Sequence, residues 1–338
     1  MAQKTILKEN NGMDFVTLGE LLIDMFPAET GRRFNEVSAF IPKPGGAPAN
    51  VAVAGARLGA QTAFIGKVGQ DFFGETLADV LKRENVETRG IRFDPDARTT
   101  LAMIAQPSAH HNEYIFYRNP GADQRLRPDE LDRTLLTATR ALHIGSLSLS
   151  DEPSRSATFE AVRIARDAGA MISFDVNFRP ALWRSQEDAL VQIAAMLPNA
   201  DLLKVNEIEL ELLTKTNDVA HGSVQLLARG PKIVIVTLGA QGSHFRTAHA
   251  DGFVNSFKVE AMDSTGCGDS FVGALLTQLT RVGMTDLDAH IQKALQFANA
   301  AGAITSTRRG AIPALPTLQE VNDFLAAHGA AHGAAHGA

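Results

Sequence analysis

Short runs of β-branched or apolar residues alternate with longer stretches of helical periodicity along most of this chain, and that alternation fixes the class of fold. The strand runs are 15–18, 62–65, 141–144, 170–175, 202–205 and 232–237. Between them, 49–58, 74–83, 154–168 and 185–196 carry apolar residues at helical spacing. Consecutive parallel strands need crossover connections, and the crossing helices cover both faces of the sheet. The expected fold is therefore α/β, three αβα layers around a mostly parallel central sheet. A length of 338 residues alone suggests about two domains. The unbroken alternation points instead to one domain, 1–326.

Two stretches interrupt the rhythm. Residues 26–44 and 98–121 hold extended runs, such as 101–105 and 114–117, with turn residues and no intervening helix. They are expected to pair as a small β-layer outside the main sheet. At the C-terminus Ala-His-Gly-Ala recurs through His328, His332 and His336. That spacing puts the three imidazoles on one helical face, but Gly329, Gly333 and Gly337 weaken a helix there, so 327–338 reads as a flexible tail.

Charge and cysteine content narrow the function. With 32 Lys and Arg against 38 Asp and Glu, the net charge of -6 speaks against a broad nucleic-acid footprint and leaves room for a local phosphate pocket. Cys267 is the sole cysteine, which excludes an internal disulfide and a cysteine-based zinc cluster and suits a reducing compartment. There is no run of about 18 apolar residues and no apolar leader, so no membrane partner and a cytoplasmic location are expected.

The strongest chemical signal is Asp263-Ser264-Thr265-Gly266-Cys267-Gly268-Asp269, followed by the apolar run Phe271-Val272-Gly273-Ala274-Leu275-Leu276. A glycine-bracketed turn that opens an apolar helix aims free amides at one point, where the helix dipole adds positive potential, so an anion is expected there. Asp269 would repel a phosphate, and as a base it would take the proton of an attacking hydroxyl. The plainer alternative is an acidic residue that satisfies the dipole. In Pro44-Gly45-Gly46-Ala47-Pro48-Ala49-Asn50, paired glycines allow close approach of a polar ligand and Asn50 offers both donor and acceptor to sugar hydroxyls; a simple turn is the alternative. Asp24, in Gly19-Glu20-Leu21-Leu22-Ile23-Asp24, either accepts bonds from a diol or is a solvated strand end. Asn206 and Glu209 follow a strand and suit a hydrated Mg²⁺, or serve only the helix dipole. Arg179, after the strand that ends at Asp175, is a candidate anion contact at the sheet edge where open α/β folds bind ligands.

The order and combination of these strings resemble the PfkB, or ribokinase-like, carbohydrate kinases. Gly45-Gly46-Ala47-Pro48-Ala49-Asn50 matches the first signature of that family and 263–276 the second, with family order kept over about 15–324. The strings 19–24, 64–69, 92–95, 116–123 and 257–261 are most similar to the fructokinase sub-group. The resemblance implies a kinase domain with a discontinuous β-sheet lid, about 26–44 and 98–121. It implies Asp269 as catalytic base and an anion hole from Gly266, Cys267 and Gly268. It implies sugar contacts at Asp24, Gly45, Gly46 and Asn50, with Arg118 and Arg179 as further substrate contacts. Asn206, Thr237, Gly239, Gly242 and Asn299 would line the ATP site, and Asn206 and Glu209 would order Mg²⁺ through water. Asp263, Thr265, Thr305, Arg308 and Gly310 match positions that hold a monovalent cation such as K⁺ in many members, and many pair lid to lid as homodimers. Cys267 departs from the usual Ala or Gly and is either an inert small residue or a thiol activated by the helix N-terminus. The implied activity is ATP-dependent phosphorylation of the 6-hydroxyl of D-fructose. The alternatives are 2-keto-3-deoxygluconate kinase, with Arg118 and Arg179 clamping a carboxylate, then ribokinase or another sugar kinase, and a sugar-binding protein without catalysis.

Overall fold

The computed structural model describes residues 12–108, 111–282 and 287–334. Nine strands build the central sheet: β13 (Asp251–Asn255), β12 (Gly242–Arg246), β11 (Ile233–Thr237), β10 (Leu202–Asn206), β9 (Met171–Asp175), β8 (Ala141–Gly145), β1 (Phe15–Leu18), β4 (Thr62–Gly69) and β5 (Glu87–Asp94), in that spatial order. From β11 through β5 every pairing is parallel, while β12 and β13 add an antiparallel edge. All six expected strand runs are present. The three unexpected strands lack a simple apolar run: β5 carries Arg89, Gly90 and Arg92, β12 carries Ser243 and His244, and β13 alternates exposed and half-buried residues.

Side chains alternate between two cores, as the strand period requires. One face of the sheet packs Val16, Leu142, Phe174, Leu203 and Val234 under α3 (Arg133–Thr137), α4 (Ser154–Asp167), α5 (Gln186–Met196), α6 (Glu207–Thr214) and α7 (Val219–Leu227). The other packs Phe15, Ala141, Leu202 and Ile235 under α1 (Ala47–Arg57), α8 (Cys267–Val282), α9 (Leu287–Ser306) and α10 (Leu318–Ala334). A third cluster joins α2 (Phe72–Arg83) to α1. Among the described residues no helix is long and apolar enough to cross a membrane.

The interrupting stretches form a separate four-stranded sheet in the order β3 (Phe40–Gly45), β2 (Leu22–Pro27), β6 (Leu101–Ser108) and β7 (His111–Tyr117). Its first leg starts at Leu22, earlier than the expected residue 26, because 22–25 reads in the sequence as a continuation of the preceding apolar strand. Asp24 therefore belongs to the small sheet and is no solvated end of a main strand. At the C-terminus α10 runs on to Ala334, so the boundary expected at 327 lies inside a helix. Alanine's helix propensity offsets the glycines, and the ring of His328 packs on Phe324 and Phe257. The side chain of His332 and all of His336 lie outside the described residues.

Among the helix contacts, that of α1 against α8 has the strictest steric requirement. A Cβ on Gly273 would lie 2.6 Å from Ala54 Cβ and 2.9 Å from the Val51 carbonyl oxygen, so only glycine lets the two helices approach this closely. We expect Gly273→Val to force them apart and cost about 1–3 kcal/mol of stability in chemical denaturation, with a loss of turnover larger than the stability loss explains.

Candidate active site

The N-terminus of α8 supplies the amides. Gly266 has φ +78°, and a Cβ there would sit 3.1 Å from Ala311 Cα, so glycine is required to turn the chain into the helix. Ser270 N–H to the Gly266 carbonyl, 2.8 Å, opens the i to i−4 ladder, which leaves the amides of Gly268 and Asp269 ahead of it. The Cys267 amide, expected to join them, donates to the Ser264 carbonyl at 3.2 Å as part of the turn. Around the position of a Gly268 Cβ the only neighbour within 4 Å is Lys204 Nζ, at 3.5 Å. Here backbone dipoles face a small open space with an ammonium beside it.

Asp269 and Asn50 meet at this point. Asn50 Nδ2 donates to Asp269 Oδ2 at 2.7 Å, with both side chains buried. The bond joins the two glycine-containing segments across 219 positions of sequence. Gly46, at φ +106°, lets the turn before α1 pass close over Glu20, whose carbonyl oxygen would be 2.4 Å from a Cβ at Gly46. A Cβ on Gly45 would fall 2.1 Å from Asp24 Oδ2, so this glycine makes room for the carboxylate on the neighbouring strand. Asp24, Gly45, Gly46, Asn50 and Asp269 thus gather in one crevice between the two sheets.

Asp269 is buried and Asp24 half-buried, and their carboxyls respond. Burial pushes the Asp269 carboxyl up to about 6; Asp175 pushes the same way, while the Asn50 hydrogen bond and the charges of Arg179 and Lys204 pull down. Burial and then the charge of Asp269 push Asp24 up to about 7, against Arg179 and Lys43. Arg179 lies on the surface yet acts on both aspartates, as expected of a residue at the rim of the site. A carboxylate that titrates near neutrality is a competent general base, strong enough to take a hydroxyl proton and still able to release it.

Asn206 and Glu209 form a reciprocal cap on α6. Asn206 Oδ1 accepts from Glu209 N–H and Glu209 Oε2 from Asn206 N–H, both at 2.8 Å, while Glu209 Oε1 accepts from Phe178 N–H at 2.8 Å. Each Glu209 carboxylate oxygen keeps a second lone pair, so the oxygen donor set fits a hard cation such as hydrated Mg²⁺. Among the described residues no group of three His, Cys, Asp or Glu side chains forms a metal cluster. Lys204 lies between Asp175, at 3.1 Å, and the charge of Glu209. Burial alone would lower its pKa, but the neighbouring carboxylates outweigh burial and raise it. Lys204 is not among the residues expected from sequence, although a lysine inside the apolar run Leu202-Leu203-Lys204-Val205 is itself a signal of a partnered buried charge.

The remaining expected residues divide between ligand-facing and framework positions. Asp263 accepts from Thr265 N–H and Oγ1 at 2.9 and 2.7 Å and from Gly310 N–H at 2.9 Å, which brings these three together. The Thr305 hydroxyl is spent on the Ala301 carbonyl, and the Arg308 side chain turns away to Glu320. Thr237 Oγ1 donates to the Val205 carbonyl at 3.4 Å, and a Cβ on Gly239 would have no neighbour within 4 Å, leaving that turn open to a ligand. Gly242 instead meets the requirement of close strand packing, since its Cβ would lie 2.1 Å from the Val254 carbonyl oxygen. Asn299 Nδ2 donates to the Val254 and Asn255 carbonyls and so buttresses the edge strand. The buried Arg118 guanidinium binds Asp123 at 2.7 Å and Ser150 Oγ at 3.1 Å. Burial, with Asp263 and Asp269, pushes the Cys267 thiol up to about 12, so the helix N-terminus does not activate it.

Known proteins share this arrangement of sequence and fold. The profile of the family described as "pfkB family carbohydrate kinase" matches residues 14–318. The protein named "Probable fructokinase-2" from Arabidopsis thaliana is 46% identical over 319 residues, covering 94% of this chain and 97% of its own. Among solved structures, a fructokinase with bound ATP from Xylella fastidiosa superimposes with a TM-score of 0.86 at 35% identity, over 94% of this chain and 99% of that one. A fructokinase from Vibrio cholerae in a fructose, ADP and calcium-bound form gives a TM-score of 0.83 at 33% identity, over 93% of this chain and 99% of that one. The crevice between the sheets, the glycine turn at α8 and the family profile agree, and the chain belongs to the pfkB family of carbohydrate kinases.

Proposed function

We propose that the protein is a fructokinase that transfers the γ-phosphoryl group of ATP to the 6-hydroxyl of D-fructose. The observation that carries the reading is the buried 2.7 Å bond between Asn50 and Asp269, which puts a sugar-binding amide and a basic carboxylate at one helix N-terminus. The names of the relatives supply the sugar.

In this mechanism Asp24, the Gly45–Gly46 backbone and Asn50 hold the sugar, with its terminal hydroxyl at Asp269. The carboxylate takes the hydroxyl proton as the oxygen forms its bond to the γ-phosphorus. The bond from that phosphorus to the β–γ bridging oxygen breaks, and ADP leaves with the electron pair. The amides of Gly268 and Asp269, with Lys204 and Arg179, meet the charge on the transferring group. Asn206 and Glu209 would hold hydrated Mg²⁺, which supplies charge neutralisation of the phosphates when bound. The Gly239 turn would take the nucleotide. Asp263, Thr265 and the backbone at Gly310 would frame a monovalent cation, K⁺ being the natural choice. The small sheet acts as the lid that excludes water.

The ketodeoxygluconate alternative loses support, because Arg118 is committed to Asp123 and Ser150 and leaves Arg179 without its partner in the clamp. The small sheet exposes Ile41, Ile115 and Tyr117, at 49%, 47% and 63%, which supports a homodimer through the lid. Sedimentation showing only a monomer at working concentration would remove that part of the proposal.

ADP release measured over fructose, ribose, mannose, glucose and ketodeoxygluconate should give the highest kcat/KM with fructose, and no turnover on any of them would end the reading. Asp269→Asn should lower kcat by about a hundred- to ten-thousandfold with fructose affinity little changed. Because the base must be ionised and its folded pKa is raised, kcat/KM should fall as pH drops through about 6, with Asp24 adding a bend near about 7. A profile flat between about pH 5 and about pH 8 would count against Asp269 as the base.

A further inference from the structure

The chain crosses between the two sheets four times, and a single buried polar cluster ties these crossings together. Glu20 lies in the crossing into β2, Ala47 follows the exit from β3, Thr100 precedes β6 and Arg118 follows β7. Glu20 Oε1 accepts from Ala47 N–H at 3.0 Å, which couples the first two crossings. Asp123 accepts from Thr100 Oγ1 at 2.5 Å and from Arg118 Nε at 2.8 Å, which couples the other two. Burial is the main push on the Glu20 carboxyl, with Asp123 adding to it and Arg118 opposing it, which puts both charges of the second pair within reach of the first. Backbone bonding adds Ile23 N–H to the Thr100 carbonyl at 3.1 Å. Gly121 packs so tightly into the cluster that a Cβ would lie 2.0 Å from Thr100 Oγ1 and 2.6 Å from Asp123 Oδ1.

Glu20, Arg118 and Asp123 are each less than a tenth exposed. A buried ionic group is costly compared with apolar packing of the same shape, and its best attested return is a single defined geometry. Glu20 Oε2 has no partner among the described residues although it is buried, and burial pushes this carboxyl up to about 7. The cluster sits where a small rotation has the greatest effect. Asp24 is on β2, only four residues beyond Glu20, whereas Asp269 is on α8 in the body of the molecule.

We propose that Glu20, Arg118 and Asp123 are positioning residues that set the angle of the small sheet against the main sheet, and so place Asp24 over Asp269 for sugar capture. The proposal rests on the sugar-kinase reading of the crevice. It concerns sugar binding, because nucleotide and phosphoryl contacts lie on β10, β11 and α8, away from the pivot. Glu20→Gln keeps an acceptor for Ala47 N–H while removing the charge, and the melting curves below check that the fold is kept.

The test is steady-state kinetics of wild type, Glu20→Gln, Asp123→Asn and the double variant, with melting curves of each. Wild-type turnover of fructose secures the underlying reading independently of the variants. The expected result for Glu20→Gln is a fructose KM raised about tenfold, with kcat and the ATP KM within about twofold of wild type. The double variant should raise KM by less than the product of the single effects, because both act on one cluster. An unchanged fructose KM in Glu20→Gln, an equal rise in the ATP KM, or strictly multiplicative effects would each overturn the proposal. If Asp123→Asn does not fold, hydrogen exchange of β2 and β7 with and without fructose replaces the cycle. Glu20→Gln should then lose part of the sugar-induced protection, and full protection would refute the role.

Discussion

The site depends on keeping the carboxylate of Asp269 dry while leaving it able to ionise. Burial alone would neutralise it permanently, and full exposure would leave it too weak a base. Opposing influences bring it near neutrality: burial and Asp175 on one side, the Asn50 hydrogen bond with Arg179 and Lys204 on the other. Asn50 can contribute only because α1 and α8 touch through Gly273 and Ala54. A packing requirement in the apolar core therefore acts on the proton affinity of the proposed base.

The two sheets divide the labour. The rigid main sheet carries its ligand-facing groups at the carboxyl ends of parallel strands, with Asp175 ending β9 and Lys204 and Asn206 near the end of β10. These ends are where open α/β sheets bind ligands. The small sheet brings one principal group, Asp24, from β2. Under the proposed reading, phosphate-facing groups are built on elements held on both sides by core, and the sugar-facing carboxylate on an element of the small sheet reached by four chain crossings.

Much of this is legible in sequence because each strong signal is local. The alternation of periods implies the αβα layers, and glycines 266 and 268 with Asp269 mark the N-terminus of α8. What stays hidden depends on distant partners. Arg118 reads as a free anion contact until its fork is seen on Asp123 and Ser150. Cys267 reads as either an inert small residue or an activated thiol, and its burial near Asp263 and Asp269 favours the first. Asn299 and Gly242, read only as nucleotide contacts, also support the edge strands. Lys204 escapes for the opposite reason: a charge in an apolar run says little about its role until Asp175 and Glu209 appear beside it. Strand β2 begins early because 22–25 has the same apolar character whichever sheet it joins.

Acidic groups outnumber basic ones in the crevice. Asp24, Asp175, Glu209, Asp263 and Asp269 face Lys43, Lys204 and Arg179 in a chain that is acidic overall, and burial holds the Asp24 carboxyl up to about 7 and that of Asp269 up to about 6, so that part of this charge is shed near neutrality. A polyphosphate entering such a site meets repulsion from side chains and attraction mainly from backbone amides and Lys204. Under the proposed reaction, the nucleotide therefore has to bring its own cation, and the water-mediated donors of Asn206 and Glu209 suit an ion that arrives with its phosphates. The acidic surroundings then favour departure of ADP as much as they hinder arrival of ATP. That symmetry suits an enzyme that has to release a charged product on every turnover.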